Sequence, residues 1–335
     1  MRFGTGTTVH DIGFYREWLS VADAAQFDLL TVGDSQSLWA DPFVCLTVAA
    51  QATRGARLAV TVSNPKTRHP AVVASSLSAL QQISGDRVCY GFSSGDSALR
   101  NIGVPPATVA EMEEFGRAVK GLCAGESVTY DGIEMEMRWE ARPTPIWLAA
   151  EGPRTQQLAG RIADGVVLSN ALDAEVLRLA RENIAIGAES VGRDPGEVEI
   201  WCMAAMCPAE TEAAGIEKLR FLLAGTANHV YRFHTEGKAL PEEYADRVRQ
   251  LQARYDSTAH ASPERAAANG RLVEELGLVE FLAARSVIAG PVERRIERLH
   301  EVAEAGATNL ILSQFVDDQL TFMREFADRI KPEFS

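Results

Sequence analysis

The chain has few of the residues that carry chemistry by themselves. Six histidines and five cysteines are spread over 335 residues. The cysteines, at 45, 89, 123, 202 and 207, form no CxxC pair and no zinc-like spacing. Neither a disulfide framework nor a metal site is expected. No apolar run approaches the ~18 residues that a membrane span needs. No basic block occurs, and a net charge of −13 disfavours the phosphate backbone of nucleic acid. The N-terminus, MRFGTGTTVHDIGF, lacks a basic segment followed by an apolar stretch, so a cytoplasmic location with reduced thiols is expected. The first strand-to-helix turn lacks GxGxxG, which disfavours a dinucleotide-binding open sheet.

What the chain does have is a repeating alternation. Apolar runs at 2–9, 29–34, 56–63, 87–94, 145–150, 165–170, 199–206 and 308–315 read as strands, most followed by a helical pattern. In DIGFYREWLSVADAAQF, for instance, Phe14, Trp18, Val21 and Ala25 share a face. Eight such units predict an α/β fold of the (β/α)8 TIM-barrel class, one domain over 1–335, with a doubly wound open sheet as the alternative. Residues 126–142 break the rhythm with polar–apolar alternation around Asp131-Gly132, a hairpin signal. Residues 208–285 are a long, mainly helical insertion between the seventh and eighth strands, read as a cover over a pocket or a subunit contact.

In a barrel of this class the C-terminal strand ends build the site. Those positions carry Gly6 and Thr7, Gly33, Asp34 and Ser35, Ser63 and Asn64, Ser93, Ser94, Gly95 and Asp96, Glu151 to Arg154, and Ser169 and Asn170. No nucleophile–base pair and no ligand cluster is among them, which disfavours a triad or a catalytic metal. Many hydroxyls and backbone donors suit a site whose chemistry belongs to an organic cofactor. The segment EGPRT, 151–155, sets free backbone N–H groups of a helix start beside Arg154 and Thr155. It is an anion site or an ordinary strand–helix turn.

Three stretches, TVSNPKTRHPAVVASSLSALQQIS, RVCYGFSSGDSALRNIG and LAAEGPRTQQLAGRIADGV, resemble the bacterial luciferase-like superfamily, and most closely its methylenetetrahydromethanopterin reductase-like branch. The resemblance implies FMN or the deazaflavin F420 at the C-terminal face. It also implies a non-prolyl cis peptide within 61–64, supporting the flavin ring. Ser63, Asn64, Ser93, Ser94 and Gly95 would line the cofactor, with Gly152, Pro153, Arg154 and Thr155 near its phosphate or ribityl chain. Homo-oligomerisation is typical of the family.

Departures accompany the match. Gly6 stands where the reductases carry an acid, and Ser35 stands where sugar and alcohol dehydrogenases of the family carry histidine. The first expectation is therefore an FMN-dependent monooxygenase acting with O2 on a small organic substrate and supplied by a separate flavin reductase. The alternatives are an F420-dependent hydride-transfer enzyme and a non-catalytic flavin-binding protein.

Single residues keep two readings. Asp34 bonds cofactor or substrate, or caps its turn; Asp34, Ser35 and Glu151 are the catalytic candidates. Glu151 takes a proton or bridges Arg154. Asn64 faces the flavin or makes an Asx turn, and Asp96 caps the following helix. Trp39 is a pocket wall or packing, and Lys66, Arg68 and His69 are a rim patch or a solvated loop. Thr7, Trp39, His69 and His229 are the candidates for the substrate pocket. His229 and His234, about 140° apart on a continuous helix, would not share a face, which disfavours a metal site there and leaves both as candidates for a lid that contacts substrate.

Overall fold

The structure is a computed structural model and describes residues 1–256 and 263–334. Its strands are β1 (Arg2–Thr7), β2 (Leu29–Val32), β3 (Arg57–Ser63), β4 (Val88–Phe92), β5 (Val128–Tyr130), β6 (Ile133–Met135), β7 (Ile146–Ala149), β8 (Gly165–Leu168), β9 (Glu199–Pro208), β10 (Val287–Gly290) and β11 (Asn309–Gln314). Eight of them pair in parallel in the order β1, β2, β3, β4, β7, β8, β9, β11, and β11 returns to β1 to close a (β/α)8 barrel. All eight apolar runs recognised in the sequence are barrel strands. The hairpin is also present, as β5 and β6, with Asp131 and Gly132 both at positive φ.

Local chemistry starts the surrounding helices. Asp41 accepts from the Phe43 and Val44 amides at the head of Pro42–Ala52, and Thr108 with Glu111 forms a capping box on Val109–Cys123. Inside the barrel, Trp147 and Trp201 stack with centroids 5.9 Å apart. Beneath them Glu199 takes Arg57 at 2.8 Å and Arg2 at 2.5 Å, and each guanidinium lies over one of the two indoles. That plug closes the N-terminal face and leaves the opposite face for ligands.

Two features were not legible beforehand. A ninth parallel strand, β10, pairs with residues 205–208 of β9, beyond the 199–202 stretch that β8 uses. Four residues are too short to show periodicity. The helices between β9 and β10, Glu212–Tyr231, Glu242–Arg254, Pro263–Glu275 and Val279–Ser286, also build an apolar cluster of their own around Leu219, Leu223, Val248, Leu251 and Val273. The insertion is thus a packed unit and not an extended loop.

Candidate active site

Three cavities open at the C-terminal strand ends. The first, about 540 Å³, lies over β1, β2, β3 and β11, and the second, about 430 Å³, lies over β4 and β7. The third, about 590 Å³, lies beyond β9 and β11, shares Phe315, Val316 and Asp317 with the first and carries Lys218. Between the first two, β3 carries a cis peptide at Thr61–Val62, within the span expected, and its pairing with β4 shifts register between Val60 and Ser63. Thr61 lines the first cavity.

Around the first cavity, Thr7 and Trp39 sit on the wall. The Thr7 hydroxyl donates to Gln319 Oε1 at 3.0 Å. A Cβ on Gly33 would stand 2.9 Å from the Trp39 ring, so the indole lies on a strip of bare backbone. Gly6 is equally constrained: a Cβ there would come within 2.2 Å of Thr31 Oγ1 and 2.8 Å of the Thr31 carbonyl. Any side chain at this place would require Thr31 to shift. Phe221 reaches the same wall from the insertion and meets Phe315 edge to face, with centroids 5.9 Å apart. Phe221, Phe315, Gln314 and Asp317 were not singled out by sequence. Residues 314–317 start at the last residue of β11, a strand recognised in the sequence, and that strand end is the signal that would have found three of the four.

Behind this wall lies a locked pair of strand ends. The Ser63 hydroxyl donates to Asp34 at 2.6 Å, and Arg68 pairs with the same carboxylate while reaching Asp41 at 2.7 Å. The Asp34 side chain is 1% exposed. Ser35, in the histidine position, shares a hydrogen bond with Ser97 at 2.9 Å. Asn64 makes the Asx turn, its Oδ1 accepting from the Lys66 and Thr67 amides. None of Asp34, Ser35, Ser63 and Asn64 lines any of the three cavities. His69 lies outside them as well: exposed, it accepts the Ala71 amide at its helix start and packs edge to face on Tyr130. The rim patch dissolves in the same way, since Lys66 pairs with Glu111 and Arg68 turns inward.

The second cavity gathers Ser93, Ser94, Glu151, Gly152, Arg154, Thr155 and His229. Gly95 adjoins it, its carbonyl accepting from Arg232 at 3.2 Å, and Pro153 is the first residue of the helix Pro153–Ile162. That helix starts without an acid in its first turn and without a side-chain cap bond from Gly152. The expected Glu151–Arg154 bridge is not made. Glu151 accepts the Ser169 amide at 2.7 Å, and Arg154 is exposed with no ion-pair or hydrogen-bond partner among the described residues. Asp96 does not cap its one-turn helix either. Its carboxylate takes Arg232 at 3.0 Å and Arg100, with His229 Nδ1 3.9 Å away. Burial alone would raise its pKa, but these three neighbours hold it down at about 2.

Two residues that sequence reading did not bring here, Arg232 and Lys238, complete this cavity together with His234. The helix ends at Tyr231, so the angular argument that separated His229 from His234 does not apply, and both line the same space. Lys238 and His234 pack over Gly152, 3.0 and 3.1 Å from where a Cβ would be. Lys238 donates to the Val230 carbonyl at 2.5 Å. Burial, with Arg232 nearby, lowers its pKa to about 8 against the opposing pull of Glu151. His234 is also lowered, first by burial and then by Lys238. A helix N-terminus facing two arginines, a lysine and two histidines is a receptor for negative charge.

Against known proteins, a family model described as luciferase-like monooxygenase matches residues 2–309. A 5,10-methylenetetrahydromethanopterin reductase of Methanolobus tindarius is 33% identical over 228 residues, 65% of this chain and 69% of that protein. An F420-dependent glucose-6-phosphate dehydrogenase of Beutenbergia cavernae is 25% identical over 334 residues, 93% of this chain and 90% of that one. The solved structure of the coenzyme F420 dependent tetrahydromethanopterin reductase of Methanopyrus kandleri superposes with a TM-score of 0.78 at 21% identity, over 100% of this chain and 99% of that chain. The last is a likeness of fold.

Proposed function

This chain belongs to the luciferase-like monooxygenase family, and within it we propose an F420-dependent oxidoreductase that exchanges a hydride with a small organic substrate. The observation that carries this reading is the second cavity. F420 is a deazaflavin whose tail bears a phosphodiester and carboxylates, whereas FMN ends in a single phosphate. The donor set fits the more anionic group: free amides at the start of Pro153–Ile162, an unpartnered Arg154, and Arg232, His234 and Lys238 opposite. Relatives named for F420 support the same choice over FMN with O2. The preference for an FMN monooxygenase served by a separate reductase therefore becomes the second reading.

When bound, F420 supplies a two-electron hydride carrier. The chain's own part is binding and orientation. Arg154 and the Thr155 amide would hold the anionic tail. Ser93 and Ser94 border the cavity between the tail end and the barrel mouth. Trp39 and Phe221 would keep water from the reacting end. With glycine at 6 and a serine at 35 tied to Ser97, neither position moves a proton.

Titrating the apoprotein with F420 and with FMN tests the reading, with fluorescence of each cofactor as the readout. F420 is expected to bind at least tenfold tighter, and Arg154→Ala to weaken F420 more than FMN. Tight FMN with weak F420 would return the monooxygenase reading to first place, and binding of neither would remove both.

A further inference from the structure

The first two cavities differ in charge. The second is lined by Arg154, Arg232 and Lys238 with one acid, Glu151, whereas the first, among the described residues, has no lysine, arginine or histidine on its wall. Among the described residues its one ionisable carboxylate is Asp317, just beyond β11, which also borders the third cavity together with Lys218. Asp317 is exposed and has no ion-pair partner within 4 Å among the described residues. The rest of the polar lining is hydroxyl and amide, as in Thr7, Ser313 and Gln319. Three aromatic residues complete it: Trp39, packed against Gly33, and the Phe221–Phe315 pair.

An anionic substrate would meet no counter-charge here and would face Asp317, a like charge. An organic cation would find the opposite: a carboxylate free to pair and ring faces that attract positive charge. We propose that the first cavity takes an organic ammonium substrate with a planar or apolar body, and that Asp317 is the residue that selects its charge. The inference rests on assigning the second cavity to the cofactor tail, and it separates this chain from a relative named for a phosphorylated sugar.

Three probes sharing one ring test it on the full chain: benzylamine as its ammonium, benzyl alcohol and benzyl phosphate, by saturation-transfer NMR and calorimetry at pH 7. Benzylammonium is expected to bind more tightly than benzyl alcohol, by about three- to fivefold, the range of a partly exposed ion pair. Asp317→Asn should abolish that preference and leave benzyl alcohol unchanged. Phe221→Ala should weaken benzylammonium and benzyl alcohol together. Benzyl phosphate, if bound, should respond to Arg154→Ala and not to Asp317→Asn or Phe221→Ala. Equal binding of cation and alcohol, or an ammonium preference that survives Asp317→Asn, would overturn the proposal. So would benzyl phosphate binding that Phe221→Ala weakens. Asp317 makes no side-chain bond among the described residues, so the Asn variant should fold, and its melting temperature checks this. The cofactor titration is a separate readout: F420 binding without an ammonium preference sinks this inference alone, and an Asp317-dependent preference without F420 binding sinks only the cofactor assignment.

Discussion

The Trp39 ring lies 2.9 Å from the point that a Cβ on Gly33 would occupy. The two residues act as one part: a bare stretch at the end of β2 and the indole that rests on it. Gly33→Ala is expected to push the ring off its seat. Overpacking of this kind costs about 1–3 kcal/mol. The checks are chemical denaturation and the benzyl alcohol affinity of the first cavity, both of which should fall. An unchanged affinity would mean that Trp39 is packing and not a wall.

Asp34 predicts a structural failure. Its buried carboxylate joins Ser63 to Arg68. Asp34→Ala leaves the guanidinium with Asp41 alone and the Ser63 hydroxyl without its acceptor. Breaking a buried pair costs about 3–5 kcal/mol, and the lower end is expected because Arg68 keeps one partner. Urea unfolding measures it. A variant of normal stability that lost only turnover would move Asp34 back among the catalytic candidates.

Asp96 predicts an acid limb. Its folded pKa of about 2 lies below the ordinary aspartate value, so its contribution is present above the unfolded pKa, near 4, and is lost as pH falls from there to about 2. Asp96→Asn should melt lower than the parent at pH 6, with the gap closing between pH 4 and pH 2. A gap independent of pH would point to packing instead of charge.

Lys238 predicts the alkaline side of ligand binding. With a folded pKa of about 8, it is charged below that pH and loses its charge above it. Affinity for an anionic cofactor tail should therefore be full near pH 7 and decline as pH rises through 8. Unfolding without ligand should show the reverse: the cost of burying the ammonium is present below pH 8 and fades between about 8 and 10.5, so stability gains over that window. Lys238→Met should flatten both profiles and weaken F420 at pH 7.

How far the sequence could be read follows from range. The eight barrel strands were visible because each is an unbroken apolar run, and Asp131-Gly132 because a tight turn is written in two residues. Ser93, Ser94 and 151–155 were found because topology sends strand ends to one face. Arg232 and Lys238 were not, since Arg232 meets Gly95 and Asp96, and Lys238 meets Gly152, across more than seventy residues that no local pattern encodes. His229 and His234 were kept apart by a helix assumed to continue past Tyr231. The Glu151–Arg154 bridge was the simplest local pairing, and the Ser169 amide, from the next strand end, took the carboxylate instead.

The segment 229–238 covers the anion-binding end, and its helix also belongs to the apolar cluster around Leu219, Leu223 and Val248. Whatever fixes that segment thereby holds down a cooperative opening unit much larger than its own footprint. A ligand touching only Lys238 and His234 should slow amide exchange along Glu242–Arg254, a helix that packs into the same cluster through Val248 and Leu251, turning local occupancy into protection beyond the contact itself.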